Sequence, residues 1–110
     1  MITELHLKSN HQGLHEFTYE VQKIIRESAI KQGLCTLFVK HTSCSLTIQE
    51  NADPSARRDL ENWLNRLVPE DDALYTHTME GPDDMPSHIK AILTSTTLSI
   101  PIYEGQLVLG

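Results

Sequence analysis

Apolar residues recur along the chain with two different periods, and these periods divide it into elements. Thr3 to Lys8 alternates polar and apolar, as a half-buried strand would. Leu14, Phe17, Val21, Ile24, Ile25 and Ala29 then follow at helical spacing, with Gly33 beyond them as a stop, so the pattern predicts an amphipathic helix over about 14–32. Leu34 to His41 is a continuous β-prone run. Ser43 to Gln49 alternates again, with Cys44, Leu46 and Ile48 on one face. Only His41 and Thr42 separate these two runs, which fits either a hairpin or one long strand bent by a bulge.

Asp53-Pro54 has the form of a helix start, an N-cap followed by proline at the first helical position. Leu60, Leu64, Leu67 and Val68 supply an apolar stripe, and Pro69 lies just past its end. Residues 70–84 are polar and loop-like, with a short extended piece at Leu74 to Thr78. A third helix begins near Met85-Pro86, capped by Asp83 or Asp84, with Ile89, Ile92 and Leu93 facing inward. Strands over 97–102 and 106–109, joined at Glu104-Gly105, complete an α/β chain of the α+β type: one domain of two layers over residues 1–110, with a mixed sheet and two to three helices. A strand that reaches Leu109-Gly110 leaves an edge that a further strand or a neighbouring subunit would cover.

Composition narrows the function. The 110 residues carry 9 basic and 15 acidic side chains, a net charge of −6 with neutral histidines, which argues against a face that binds nucleic acid by releasing counterions. No apolar run approaches the roughly 18 residues of a membrane span, and the first ten residues lack the basic and apolar regions of a secretory signal, so the expected address is the cytoplasm. Two cysteines, Cys35 and Cys44, make no disulfide framework and read as free thiols in β-type runs; a Cys–His pair with His41 is the sharper alternative.

Two polar segments could carry chemistry. The first, His41-Thr42-Ser43-Cys44-Ser45, leads through Gln49-Glu50-Asn51 to Asp53-Pro54. It sets an imidazole, hydroxyls, a carboxamide and carboxylates before a helix N-terminus, whose free N–H groups can hold an anion. A capped helix beside a wet strand would look the same. The second runs from His77 through Glu80-Gly81-Pro82-Asp83-Asp84-Met85-Pro86-Ser87 to His88. Histidine with Asp or Glu is a donor set for a catalytic divalent cation, although no zinc motif such as H-E-x-x-H is present. Asp83 and Asp84 could instead hold Mg²⁺ beside a pyrophosphate, or simply cap the helix.

Residues 41–54 together with Glu80-Gly81-Pro82-Asp83-Asp84-Met85-Pro86-Ser87-His88-Ile89-Lys90 resemble the YjbQ-type family, known as secondary thiamine-phosphate synthase enzymes. The resemblance runs from the first strand to the Ile100-Pro101-Ile102 and Gly105 to Gly110 end. It implies a two-layer domain that assembles as a homotrimer with sheets packed around a three-fold axis. It also implies a weak thiamine-phosphate synthase activity, a transferase reaction coupling a pyrimidine-methyl pyrophosphate to a thiazole phosphate with release of pyrophosphate. By the same resemblance a divalent metal, zinc or magnesium, would lie near the shared histidines, with His41, His77 and His88 as ligands. Asn51, Glu80, Asp83 and Asp84 would then be catalytic, and Ser43, Ser45 and Asp53 would bind the small phosphorylated molecule or anion.

The departures are Gln49 where Asn is common and Ala91-Ile92 in place of a frequent Ser-Ser pair. Relatives also continue past Leu109-Gly110 with a Thr-Trp-Gln-Gly segment and further strands, which implies that part of the pocket and of the trimer lies outside these residues. Departure of pyrophosphate needs cations on the leaving group, so Lys40, Lys90, Arg57, Arg58 or a metal held by Asp83 and Asp84 would supply them. Two other functions fit the same residues: metal-assisted hydrolysis of a phosphate ester with Glu80 as general base, and a non-catalytic trimeric module that binds a small anion.

Overall fold

The structure, a computed structural model, describes residues 1–50 and 52–110. Three helices and three strands follow one another as α1 (Thr18–Ser28), β1 (Gln32–Phe38), α2 (Pro54–Leu67), α3 (Asp84–Leu93), β2 (Thr97–Tyr103) and β3 (Gln106–Leu107). The sheet has the order β1-β2-β3 and is antiparallel throughout, not mixed. β2 and β3 are joined at Glu104-Gly105, whose φ angles of 51° and 75° are both positive, the backbone of a type I′ two-residue hairpin. Glycine at the second of these positions meets that φ without strain.

The largest departure from the sequence pattern concerns β1. Its partner is neither residues 43–49 nor an extension of itself, but β2, with Gln32 opposite Tyr103 and Phe38 opposite Thr97. The strand is shifted two to three residues toward the N-terminus of the predicted run. Val39 donates to Thr96 O at 2.9 Å, and the chain then leaves the sheet as a loop. It touches down again at Leu46, which exchanges backbone hydrogen bonds with Ser95 as an isolated bridge. The alternation in 43–49 therefore reports a loop pinned at one point and not a strand. Thr3–Lys8 and Leu74–Thr78 are likewise not strands. At 72–75 an Asx turn takes over, with Leu74 N–H donating to Asp72 Oδ1 and Tyr75 N–H to Asp72 O.

α1 begins at Thr18, four residues after the periodic pattern does, and ends before Gly33 is reached. Ala29 adopts the left-handed conformation at φ 62° and closes the helix through its N–H to Arg26 O. Val21 and Ile25 on its inner face meet Ile102 of β2, with Leu5, Phe17, Cys35, Leu37 and Leu107 around them. Gln22 fastens the same helix to the β2–β3 hairpin at both ends of its amide, donating to Gly105 O and accepting from Leu107 N–H, each at 2.9 Å.

α2 starts where the sequence places it: Asp53 is the N-cap, its Oδ1 accepting Ser55 N–H at 2.9 Å, and Pro54 follows. The carboxyl of Asp53 is held below its ordinary pKa by the backbone and side-chain hydrogen bonds with Ser55. A depressed carboxyl stabilises the fold above the ordinary carboxylate range and loses that contribution as the pH falls through its folded value. Asp53→Ala is therefore expected to lower the thermal midpoint by a few degrees at neutral pH, and the difference from the parent should shrink in acid. A constant difference down to acid pH, followed by circular dichroism, would contradict the capping role.

No residue of α2 itself is buried, although Leu60 and Leu64 are half-buried and Val68 just beyond it is buried. The opposite face of the sheet is bare as well: Leu34, Phe38 and Tyr103 are each 60% or more exposed. The radius of gyration, 16.1 Å, exceeds the roughly 13 Å of a compact domain of this length. Among the described residues, no helix is long and apolar enough to cross a membrane.

Candidate metal centre

α3 and the turn before it build one cluster. Asp84 and His88 are four residues apart on α3 and so share a face of the helix. His77 reaches the same place from the loop. Its return is set by a turn in which Gly81 N–H donates to Thr78 O at 3.3 Å and Gly81 adopts φ 107°. A Cβ at Gly81 would lie 3.1 Å from Asp83 Oδ1, so the turn both requires and accommodates glycine.

The two imidazoles converge on a single oxygen. His77 Nε2 lies 2.9 Å and His88 Nε2 3.1 Å from Asp84 Oδ2, and the three ligand atoms fall within 4.8 Å of one another. The rings meet edge to face at 5.5 Å between centroids. Glu80 Oε2 stands 3.7 Å from His77 Nε2 at the open side of the cluster. Asp84 is mostly shielded, its side chain 21% exposed. That desolvation raises its carboxyl, while hydrogen bonds with His77 and Glu80 and the charge and hydrogen bond of His88 more than offset it, so the group sits below its ordinary pKa. Its place in the first turn of α3 favours the anion too.

The tautomer of His88 is fixed by what its other nitrogen touches. Nδ1 is 3.0 Å from the backbone carbonyl of Thr42, and a carbonyl can only accept, so Nδ1 carries the proton. Neutral His88 then turns a bare lone pair at Nε2 toward the lone pairs of Asp84 Oδ2. That contact is attractive only with a positive charge in it, either a second proton on the ring or a cation shared by the two atoms. A histidine that donates one nitrogen to a backbone carbonyl and aims the other at a carboxylate has the wiring of a metal ligand.

Distances agree with a metal. Bonds of about 2.0–2.2 Å at angles between 90° and 109° place neighbouring ligand atoms about 2.8–3.6 Å apart, and the separations of His77 Nε2 and His88 Nε2 from Asp84 Oδ2, 2.9 and 3.1 Å, fall in that range. Two imidazoles and one carboxylate suit zinc or another late first-row ion better than magnesium, which favours oxygen.

Of the residues expected from the sequence, His77, Asp84 and His88 come together, with Glu80 beside them. His41 is not in the cluster. Its Nδ1 accepts from Ser43 N–H at 3.0 Å and pairs with Ser43 Oγ at 2.9 Å. Ser45 is bonded to Thr94 at the end of α3, and Asp53 caps α2. Asp83 is exposed, and its backbone carbonyl receives Ser87 N–H and Oγ–H. Asn51 lies outside the described residues. Among the proposed cations, Lys90 donates to Asn65 Oδ1 at 2.6 Å and Arg57 lies 3.9 Å from Glu61. The Lys90 ammonium is pushed down by burial, against the pull of Glu70. Cys44 is exposed and Cys35 half-buried, where burial raises the thiol. The contribution of Thr42 was not foreseeable, because it is made by a backbone atom.

A family model described as UPF0047 protein YjbQ-like matches residues 3–110. The chain belongs to the YjbQ/UPF0047 family. It is 52% identical over 98 residues to a UPF0047 protein of Synechocystis, covering 89% of this chain and 67% of that protein. It is 40% identical to YjbQ of Escherichia coli, covering 96% and 77%. Among solved structures, a YjbQ/UPF0047 family protein of Clostridium acetobutylicum superposes with a TM-score of 0.83 at 35% identity, covering 94% of this chain and 78% of that one. A conserved hypothetical protein from Thermus thermophilus gives 0.79 at 36%, covering 89% and 73%. The antiparallel sheet with three helices thus matches the fold of these solved structures over the part they share with this chain. Membership gives the architecture and leaves the reaction to be read from the site.

Proposed function

We propose that this YjbQ-family chain is a divalent-metal-dependent enzyme acting on a small phosphorylated molecule, with His77, Asp84 and His88 as ligands and zinc as the favoured ion. The observation that carries the reading is the convergence of two imidazole Nε2 atoms on Asp84 Oδ2, one of them with its tautomer set by Thr42. Three protein ligands leave coordination open for substrate, as catalytic sites do. When bound, such an ion supplies Lewis acidity toward a phosphoryl oxygen and lowers the pKa of a coordinated water.

The residues themselves favour hydrolysis. Glu80, 66% exposed and 3.7 Å from His77, is placed to take a proton from a water at the open side. Release of pyrophosphate in the coupling implied by the resemblance calls for several cations, and of those expected from the sequence Lys90 and Arg57 are engaged elsewhere, which leaves Lys40 and Arg58. That coupling is the second reading. What favours it is that both family motifs meet at the site, through Thr42 and His88. A homotrimer is the proposed assembly, supported by the bare apolar face of the sheet, and the cytoplasm the proposed address.

Elemental analysis of purified protein is expected to give about one zinc per chain, lost in His88→Ala. Glu80→Gln is expected to keep the metal and slow hydrolysis of a generic phosphomonoester by about 10²–10⁴-fold, the usual contribution of a general base. Full zinc loading of His88→Ala would sink the metal reading. Pyrophosphate release from the two coupling substrates, without monoester hydrolysis, would install the second reading in place of the first.

A further inference from the structure

The end of β1 and the start of the following loop line an open recess of about 500 Å³, linked to the metal centre through Thr42, whose carbonyl meets His88 Nδ1. It is lined by Phe38, Val39, Lys40, His41, Thr42 and Thr96. In a chain with 15 acidic and 9 basic side chains, no carboxylate lines this recess. Lys40 does, and it forms no ion pair among the described residues.

His41 contributes a donor of known position on its ring. Ser43 N–H lies 3.0 Å from His41 Nδ1, and a backbone N–H can only donate, so Nδ1 is unprotonated. Ser43 Oγ at 2.9 Å completes the contact. Neutral His41 therefore carries its proton at Nε2. This is the opposite tautomer from His88, and the consequence is opposite too. His88 offers a lone pair at Nε2 and can ligate, whereas His41 has one nitrogen occupied and the other protonated, and can only donate.

We propose that this recess is an anion subsite, in which Lys40 Nζ and His41 Nε2–H hold the phosphate group of a small phosphorylated substrate whose reacting portion lies at the metal centre. The inference rests on the reading of His77, Asp84 and His88 as the metal site and adds the substrate's handle to it. Thr42 joins the two halves, since its carbonyl orients His88 while its residue lines the recess. Phe38 and Val39 give the recess an apolar wall.

The test is calorimetric titration of inorganic phosphate into zinc-loaded and metal-free protein, with zinc affinity measured separately against a chromophoric chelator. Lys40→Met and His41→Asn are each expected to weaken phosphate binding about tenfold or more while zinc affinity stays within about twofold of the parent. Asparagine keeps an oxygen for Ser43 N–H and removes only the donor at Nε2. A fall in zinc affinity in His41→Asn comparable to that in His88→Ala would make His41 a ligand and overturn the proposal. Unchanged phosphate affinity in both variants would overturn it as well, with normal zinc uptake showing that the metal site stands. If the parent takes up no zinc, the metal reading fails by itself and the metal-free titration decides the subsite: Lys40-dependent phosphate binding upholds it and absence of binding overturns it. Nitrogen-15 spectra give an independent readout, since a proton found on His41 Nδ1 in the free protein would overturn the donor assignment.

Discussion

Asp84→Ala is expected to abolish zinc binding, with a loss of affinity beyond the roughly 100-fold that removal of an outer-shell partner can cost. Oδ2 of Asp84 is the one atom that both imidazoles face, at 2.9 and 3.1 Å, so its removal takes the shared corner out of the ligand set and leaves two neutral donors. It also removes the only charge in the triad. Asp84→Asn separates these effects, because the carbonyl oxygen remains while the charge goes, and an intermediate affinity is expected. The acid limb has a definite origin. The Asp84 carboxyl sits below its ordinary pKa, so it stays ionised as the medium is first acidified. Protons compete with zinc for the ligand atoms, so zinc content is expected to fall as the pH is lowered. Metal content after dialysis and competition with a chelator across pH read both effects, and an Asp84→Ala protein that retains one zinc per chain would remove the site from consideration.

Much of this centre was legible in the sequence, and the limit of legibility was physical. His77, Asp84 and His88 stand out as histidines and a carboxylate within one polar stretch that enters a helix, to which the structure adds the i, i+4 alignment of Asp84 with His88 and the Gly81 turn that returns His77. Spacing could not separate His41 from the ligands, since that depends on which hydrogen bond each ring nitrogen makes. The partners that decide it, Thr42 O for His88 and Ser43 N–H for His41, are backbone atoms, and any residue type supplies them. Ser45 and Asp53 were visible as polar groups near a helix start, but their hydrogen bonds to Thr94 and Ser55 are matters of loop path and capping.

The fold divides in the same way. Local chemistry placed the Asp53-Pro54 start of α2 and the Glu104-Gly105 hairpin, because each is decided within four residues. The partner of β1 was not local: Leu37 pairs with Leu98, and nothing in 34–49 alone indicates a strand sixty residues away. The alternating run at 43–49 gave a strand pattern without a strand because only Leu46 finds a partner, at Ser95. Alternation reports which residues could share a face, and pairing requires a second edge to be present.

Ile102→Ala should be the most damaging change to stability, at about 2–5 kcal/mol, out of the roughly 5–15 kcal/mol that holds a domain folded. Ile102 is 3% exposed, lies on the central strand between Gly33 and Leu107, and closes the cluster with Val21 and Ile25 of α1. Only eight apolar side chains, Pro86 included, are buried among the described residues, so little surrounding material can collapse into the hole. Ile102→Val removes one methylene and is expected to cost about 0.5–1.5 kcal/mol. Urea unfolding should show a lower midpoint with an unchanged slope in both variants. Leu34→Ala, on the opposite face and 63% exposed, is the counterpart, expected to change the stability of the separated chain by no more than about 0.5 kcal/mol. If that face is covered in a trimer, Leu34→Ala will instead make the midpoint depend more steeply on protein concentration, because association stabilises by mass action. An Ile102→Ala protein as stable as the parent would mean that the α1–sheet cluster is not the core, and a midpoint independent of concentration in the parent would remove the trimer from the description of this chain.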